Sequence, residues 1–419
     1  MQTPLLAHLR AICSQPYGFW LDSALAEGRR NRRSFWGEEP GLVLRSWGRR
    51  VEVQRCRGAT HHFEGDPFEV LRELLAERRG QPGAAVGYLG YELNRHVEAL
   101  PHTAIDDLGL PECYLAFYDR VHAFDARCLA PAVPPPASTP SYAGLRSSLS
   151  RAAYDSALRR ALAYIRAGDV YQVNLTQRFQ VTFSADPFDA YTALRAQSPA
   201  PFAAYLGGPG FAVLSSSPEL FLRYQSETRL IETRPIKGTR PRGADAESDA
   251  ALARELLASD KERAENLMIV DLERNDLGKV AEFGSVRVPG LFEVETYANV
   301  HHLTSTVQGR LREDKDVIDL LRAAFPGGSI TGAPKIRAMQ IIDELEPVAR
   351  GIYTGAIGYL GFAGDMELNI AIRTTVIKDG IAYFGVGGGI VADSQPGPEY
   401  EETLHKGAAI ARVLLAESA

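Results

Sequence analysis

The stretch ELNIAIRTTVIKDGIAYFGVGGGIV, residues 367–391, narrows the possible folds more than any other part of the chain. Two apolar, β-branched runs flank Lys378-Asp379-Gly380, and Asp-Gly between such runs signals a hairpin. A hairpin commits its strands to antiparallel pairing. Upstream, VYQVNLTQRFQVTF alternates: Tyr171, Val173, Leu175, Phe179, Val181 and Phe183 share one face, and Gln172, Asn174, Thr176 and Arg178 share the other. FAAYLG, FAVLSSS, LFLRYQ, RLIETRPI and GAIGYLGF are further strand-like pieces. Helical spacing appears in SRAAYDSALRRALAYIRAGDV, where Gly168 is placed as a stop, and over 247–277, 316–324, 333–344 and 398–416. Strands joined as hairpins and interrupted by helices predict an α+β fold with large antiparallel sheets, not a doubly wound parallel one.

LAPAVPPPASTPSYAG, residues 129–144, carries five prolines and no charge, and reads as a linker or surface excursion. It separates an N-terminal region, 1–135, from a larger unit, 145–419. A net charge of −6 gives no general pull toward nucleic acid or an anionic membrane. No apolar run is long enough for a membrane helix, and the N-terminus lacks the pattern of a secretory signal. Cys13, Cys56, Cys113 and Cys128 have no CxxC spacing, which argues against zinc and a disulfide scaffold and suits a reducing cytoplasm.

Several polar residues stand where chemistry is possible. Glu262 and Glu265 are three apart in one helical pattern, as are Glu399 and Glu402 in another, so each pair shares a face. Two such faces opposed would gather four carboxylates, which calls for a cation, and hard oxygen donors favour Mg²⁺. Glutamate early in a helix also simply suits the helix dipole, most plainly at Glu399 after Pro398. Lys406 follows Glu402 by one turn. Arg373 interrupts the apolar NIAIRTTV and needs an anion. Glu219 heads a strand-like segment, where a buried carboxyl would hold its proton and could donate it. His302 suits a packed core or a site equally. The glycine row in FGVGGGIVADS could bring backbone close to an anion, but it does not open a helix and is no dinucleotide motif. FPGGSITGAPK lacks the GK[ST] ending of a nucleotide P-loop. Only seven of the 46 basic residues are lysine, and the first is Lys237, within ETRPIKGTRPRG. Unlike arginine, lysine can lose its proton and become a nucleophile.

SPELF, RPIKGTRPRG, ENLMIVDLERNDLG, VHHLTSTVQG, FPGGSITGAPK, YTGAIGY, NIAIRT and VGGGIVADSQPGPEYEETLHK, in that order across about 145–415, resemble the chorismate-utilising enzymes. The resemblance implies the anthranilate synthase component I-like fold, a sandwich of sheets with flanking helices. WLDS, 20–23, is loosely similar to the family's tryptophan-binding segment. Within the family, PIKGT resembles the aminodeoxychorismate synthases, whereas anthranilate synthases are expected to show PIAGT. Gln172 stands where isochorismate and salicylate synthases place a water-activating lysine, which disfavours water as nucleophile. The resemblance further implies Mg²⁺ on Glu265 and Glu402, with Glu262 and Glu399 nearby. It implies substrate contacts from Tyr353, Arg373, Gly387 and Lys406, with His302 and Ser329 lining the ring. Glu219 would be the general acid and Lys237 a covalent nucleophile. No cysteine sits in a glutaminase nucleophile turn, so ammonia would come from a separate glutaminase subunit. The rivals are an anthranilate synthase component I and a non-catalytic chorismate-binding subunit.

Overall fold

Strand pairing dominates the computed structural model, which describes residues 4–24, 33–55, 58–129, 140, 142–297 and 300–417. Most of the proline-rich stretch therefore lies outside the described residues. Every strand–strand pairing among them is antiparallel and falls into two large sheets. The first runs through Gly332–Ala333, Gln172–Thr182, Ile381–Ile390, Thr374–Lys378, Phe211–Ser217, Phe202–Gly208, Phe19–Asp22, Arg33–Gly37 and His122–Asp125. The second runs through Ile236–Pro241, Val300–Arg310, Leu230–Arg234, Leu220–Gln225, Met366–Ile370, Ala356–Gly361, Ala84–Leu89, Cys113–Tyr118, Leu42–Trp47, Arg50–Arg55 and Thr60–Glu64. Strands from the first 125 residues lie toward one end of each sheet.

The hairpin expected at Lys378–Gly380 is present. Lys378 pairs with Ile381, and Asp379 and Gly380 both take positive φ (51° and 72°), the two-residue turn that matches strand twist. Phe19, Val43, Tyr88, Tyr114, Leu206, Val213, Ile357 and Val376, drawn from both sheets, form the apolar layer between them. A second cluster joins the first sheet to helices Pro187–Gln197 and Pro396–Glu417 through Phe179, Phe384, Tyr191 and Ile410. No helix among the described residues is long and apolar enough to cross a membrane.

Three local expectations need correction. The helical pattern over 247–277 is two helices, Ala246–Ala258 and Asp260–Gly278, because Ser259 turns extended and caps the second with its hydroxyl. Arg373 lies outside the strands, in the break between Met366–Ile370 and Thr374–Lys378, at φ +50°. Tyr171 does not share the core face with Val173 and Leu175, since it precedes the strand and is 73% exposed, whereas the polar Gln172, Asn174 and Thr176 are buried.

Candidate active site

Two neighbouring strand pairs cross from one sheet to the other. Phe211–Ser217 belongs to the first sheet and Leu220–Gln225 to the second, with only Pro218 and Glu219 between them. Met366–Ile370 and Thr374–Lys378 make the reverse crossing through Ala371, Ile372 and Arg373. Proline cannot donate to a ladder, so pairing lapses there. The crossings brace each other through backbone bonds, Ile370 N to Glu219 O (3.0 Å) and Ser216 N to Arg373 O (3.0 Å). Glu219 and Arg373 are thus fixed by rigid strands on both sides while their side chains are free of the ladder.

Glu219 is 4% exposed. Burial raises its pKa, and Lys237 and the Ile236 N–H only partly offset that. The Ser329 hydroxyl stands beside it without good hydrogen-bond geometry. Arg373 has no carboxylate within ion-pair distance among the described residues, and burial lowers its pKa, as expected of a guanidinium awaiting an anion. His302 is buried and neutral: desolvation takes its pKa down to about 3, helped by nearby Arg373. Its Nδ1 meets Thr239 Oγ1 at 2.9 Å, and its buried Nε2 has no partner.

Lys237 sits on the edge strand Ile236–Pro241, where the register slips between Ile236 and Thr239. This bulge re-aims the side chain. Its Nζ donates to the Ser329 carbonyl at 3.0 Å. Desolvation lowers its pKa, although Glu265 and Glu219 pull the other way. Gly238, at φ +86°, makes the bulge possible. A Cβ there would lie 2.9 Å from Glu262 Oε2 and from Leu256 Cδ1. Gly238→Ala should therefore cost about 1–2 kcal/mol of stability from the backbone alone, measured by denaturant unfolding, and lower turnover as well.

The four carboxylates occupy the first two turns of their helices. Ser259 caps Asp260–Gly278, which carries Glu262 and Glu265, and Pro396–Glu417 carries Glu399 and Glu402. Glu402 pairs with Lys406 at 2.7 Å, and Lys406 Nζ also reaches the Gly387 carbonyl at 3.1 Å. Glu399 accepts from Ser394 Oγ (2.6 Å), and Glu262 from Arg240 (3.3 Å). Burial raises the pKa of Glu265, and Glu402 adds to the shift. Burial also opposes the charge on Glu402, but Lys406, together with Lys261 and Lys237, outweighs it and the net shift is downward. Among the described residues no three metal-ligating side chains stand close enough to hold an ion. The donor chemistry nevertheless suits a hard cation: oxygen only, from two helix starts, with Glu265 held in partly desolvated surroundings.

Lys237, Glu219, Glu265, Glu402 and Lys406 thus share one electrostatic neighbourhood, with Ser329, Arg373 and His302 at its margin. The glycine strand Ile381–Ile390 forms a wall. Gly387 pairs with Thr176, and a Cβ on Gly389 would lie 2.2 Å from Gln172 Nε2. Gln172 is fully buried, with its Oε1 unpartnered. The Tyr353 ring lies against Gly385, and its charged neighbours are Arg350 and Glu346.

Sequence reasoning missed the buried ion pair Glu346–Arg350 (2.7 Å), the Asn174 amide that donates to Ser329 O (2.8 Å), and Glu273. Glu273 is a second buried carboxyl near Glu219, held by the Thr233 hydroxyl (2.9 Å), and burial keeps it well above the usual carboxylate range.

A protein-family model described as "chorismate binding enzyme" matches residues 19–412. The chain is 43% identical over 422 residues to a Klebsiella aerogenes protein named aminodeoxychorismate synthase component 1, covering 94% of this chain and 93% of that one. It is 39% identical over 444 residues to the anthranilate synthase component 1 of Acetivibrio thermocellus, covering 94% and 90%. Anthranilate synthase component I from Streptococcus pneumoniae matches structurally with a TM-score of 0.80 at 30% identity over 98% of each chain. The menaquinone-specific isochorismate synthase of Escherichia coli, at TM-score 0.65, 20% identity and 98% of each chain, shares the fold.

Proposed function

The chain belongs to the chorismate-binding enzymes, and we propose that within this family it exchanges the C4 hydroxyl of chorismate for an amino group. The product would be 4-amino-4-deoxychorismate, on the way to 4-aminobenzoate and folate. The observation that carries this reading is Lys237: a desolvated amine at the position where anthranilate synthases are expected to carry alanine, aimed by the Ser329 carbonyl and near Glu219, whose pKa burial raises.

The chemistry follows from those groups. A hydroxyl leaves poorly unless protonated, and Glu219, whose pKa burial raises, would donate that proton. Lys237 Nζ bonds to C2 of the ring as the C4 hydroxyl departs with the Glu219 proton, as water, and the ring double bonds shift. Ammonia then bonds to C4, Lys237 leaves C2 with its electron pair, and a proton from the new ammonium returns to Glu219. The net change is chorismate and ammonia to aminodeoxychorismate and water. Arg373 and Lys406 would hold the substrate carboxylates, with Tyr353 and the Gly387 backbone alongside, while His302, Ser329 and Gln172 line the ring. Glu265 and Glu402 would hold Mg²⁺, with Glu262 and Glu399 behind them, and the ion would supply a fixed positive charge for the ring carboxylate. Relatives named component 1 support a second subunit, and a glutaminase in that place would supply the ammonia.

Anthranilate synthases are about as similar to the chain, so the products must discriminate. Incubation with chorismate, Mg²⁺ and ammonium, read by mass spectrometry, should give aminodeoxychorismate as the main product. Anthranilate as the main product would overturn the assignment. No turnover at all would favour a binding subunit.

A further inference from the structure

Arg350 is 6% exposed, yet all its donors are used. Nε donates to Glu346 Oε2 (2.8 Å), and Nη2 to Glu346 Oε1 (2.7 Å) and Asn174 O (3.0 Å). Nη1 donates to Ile330 O (2.9 Å) and Thr354 Oγ1 (3.3 Å). The guanidinium lies 4.7 Å from the centroid of the Tyr91 ring. Glu346 Oε1 also accepts the Thr176 N–H (2.9 Å), and Glu92 accepts the N–H groups of Arg350 (2.9 Å) and Gly351 (3.0 Å). One side chain therefore ties together the strand Gln172–Thr182, the turn Gly328–Ile330 and the turn that bears Tyr353.

A buried ion pair is weak evidence for stability, because desolvation offsets much of its attraction. What a planar fork supplies is geometry: five donors at fixed angles. Those angles act near the nucleophile. The Ser329 carbonyl that accepts Lys237 Nζ also accepts Asn174 Nδ2 at 2.8 Å, so two donors share it. Arg350 grips the carbonyl of Asn174 on one side and that of Ile330, the residue after Ser329, on the other.

We infer that Arg350, acting through Asn174 and the Ser329–Ile330 turn, is a positioning residue that fixes the direction of Lys237 Nζ without bonding to it. This rests on the reading of Lys237 as nucleophile. Lysine at 350 would keep the charge but lose the fork, so it should not restore function. Lys237 displaced by about an ångström should lose about 10²-fold in turnover.

The test uses Asn174→Ala and Arg350→Lys in the full chain. Steady-state rates with saturating ammonium should show kcat down about 10²-fold in both, with KM for chorismate within about threefold of wild type. Peptide-level mass spectrometry of Lys237 labelling by an amine-reactive probe should show faster labelling in both, since the amine is freed from its carbonyl. Unchanged kcat and unchanged labelling in both would overturn the inference, as would equal losses in kcat/KM that arise wholly from KM. Should Arg350→Lys fail to melt cooperatively, Asn174→Ala still tests the Asn174 arm of the route with the buried charge pair intact, and unchanged kcat and labelling in it would overturn the inference. Full activity of Lys237→Ala would sink the nucleophile reading separately, and the labelling rates would still report whether Arg350 aims the amine.

Discussion

Lys237→Ala should lower aminodeoxychorismate formation from chorismate and ammonium by at least about 10³-fold, the scale on which enzymes lose rate with their nucleophile. Binding should survive, because the carboxylate contacts proposed for Arg373 and Lys406 do not involve Lys237, so KM for chorismate should stay within a few-fold. Lys237→Arg should be as inactive as alanine. The guanidinium stays protonated at any pH the fold tolerates and has no lone pair to offer. At high ammonium the alanine variant should instead release some anthranilate, since the position then carries the residue expected in anthranilate synthases. Product mass spectrometry checks all of this together. An unchanged aminodeoxychorismate rate in Lys237→Ala would sink the covalent role.

The sheets were legible because their evidence is local. The Asp379-Gly380 turn dictates antiparallel pairing whatever surrounds it, and the β-type alternation from Gln172 onward marks the strand beside it, though not which face is buried. The site was legible in its residues more than in its layout. Arg373 stands out as a charge in apolar company, and Glu219 as a carboxylate at the head of a strand-like segment. That they lie on two adjacent, mutually braced sheet crossings is set by a strand order no single segment encodes. The carboxylate helix was misread as continuous although Ser259-Asp260-Lys261-Glu262 has the Ser-x-x-Glu spacing of a helix start. Arg350 escaped notice because two of its acceptors, the carbonyls of Asn174 and Ile330, come from distant elements, and Pro347 breaks the helical spacing to Glu346.

Glu219→Gln should cost about 10²–10⁴-fold in kcat, the usual worth of a positioned proton donor, and should reshape the pH profile. Burial raises the Glu219 pKa, so its carboxyl stays protonated further toward neutral pH and loses its proton as pH rises. Burial lowers the Lys237 pKa, so the neutral amine is available at lower pH than for an ordinary lysine and is lost as pH falls. Wild-type kcat/KM should therefore be bell-shaped, with Lys237 on the acid limb and Glu219 on the alkaline limb. Glutamine is close in shape, can still accept the Ile236 N–H, and cannot donate an acidic proton. The variant should keep the acid limb and lose the alkaline one, with a cooperative melt close to wild type. A substrate whose C4 substituent leaves without protonation should recover most of the lost rate in Glu219→Gln and none of it in Lys237→Ala. A Glu219→Gln enzyme that is slow yet keeps both limbs would place the proton donor elsewhere, and the buried Glu273, held by Thr233 close behind Glu219, would be the next carboxyl to replace.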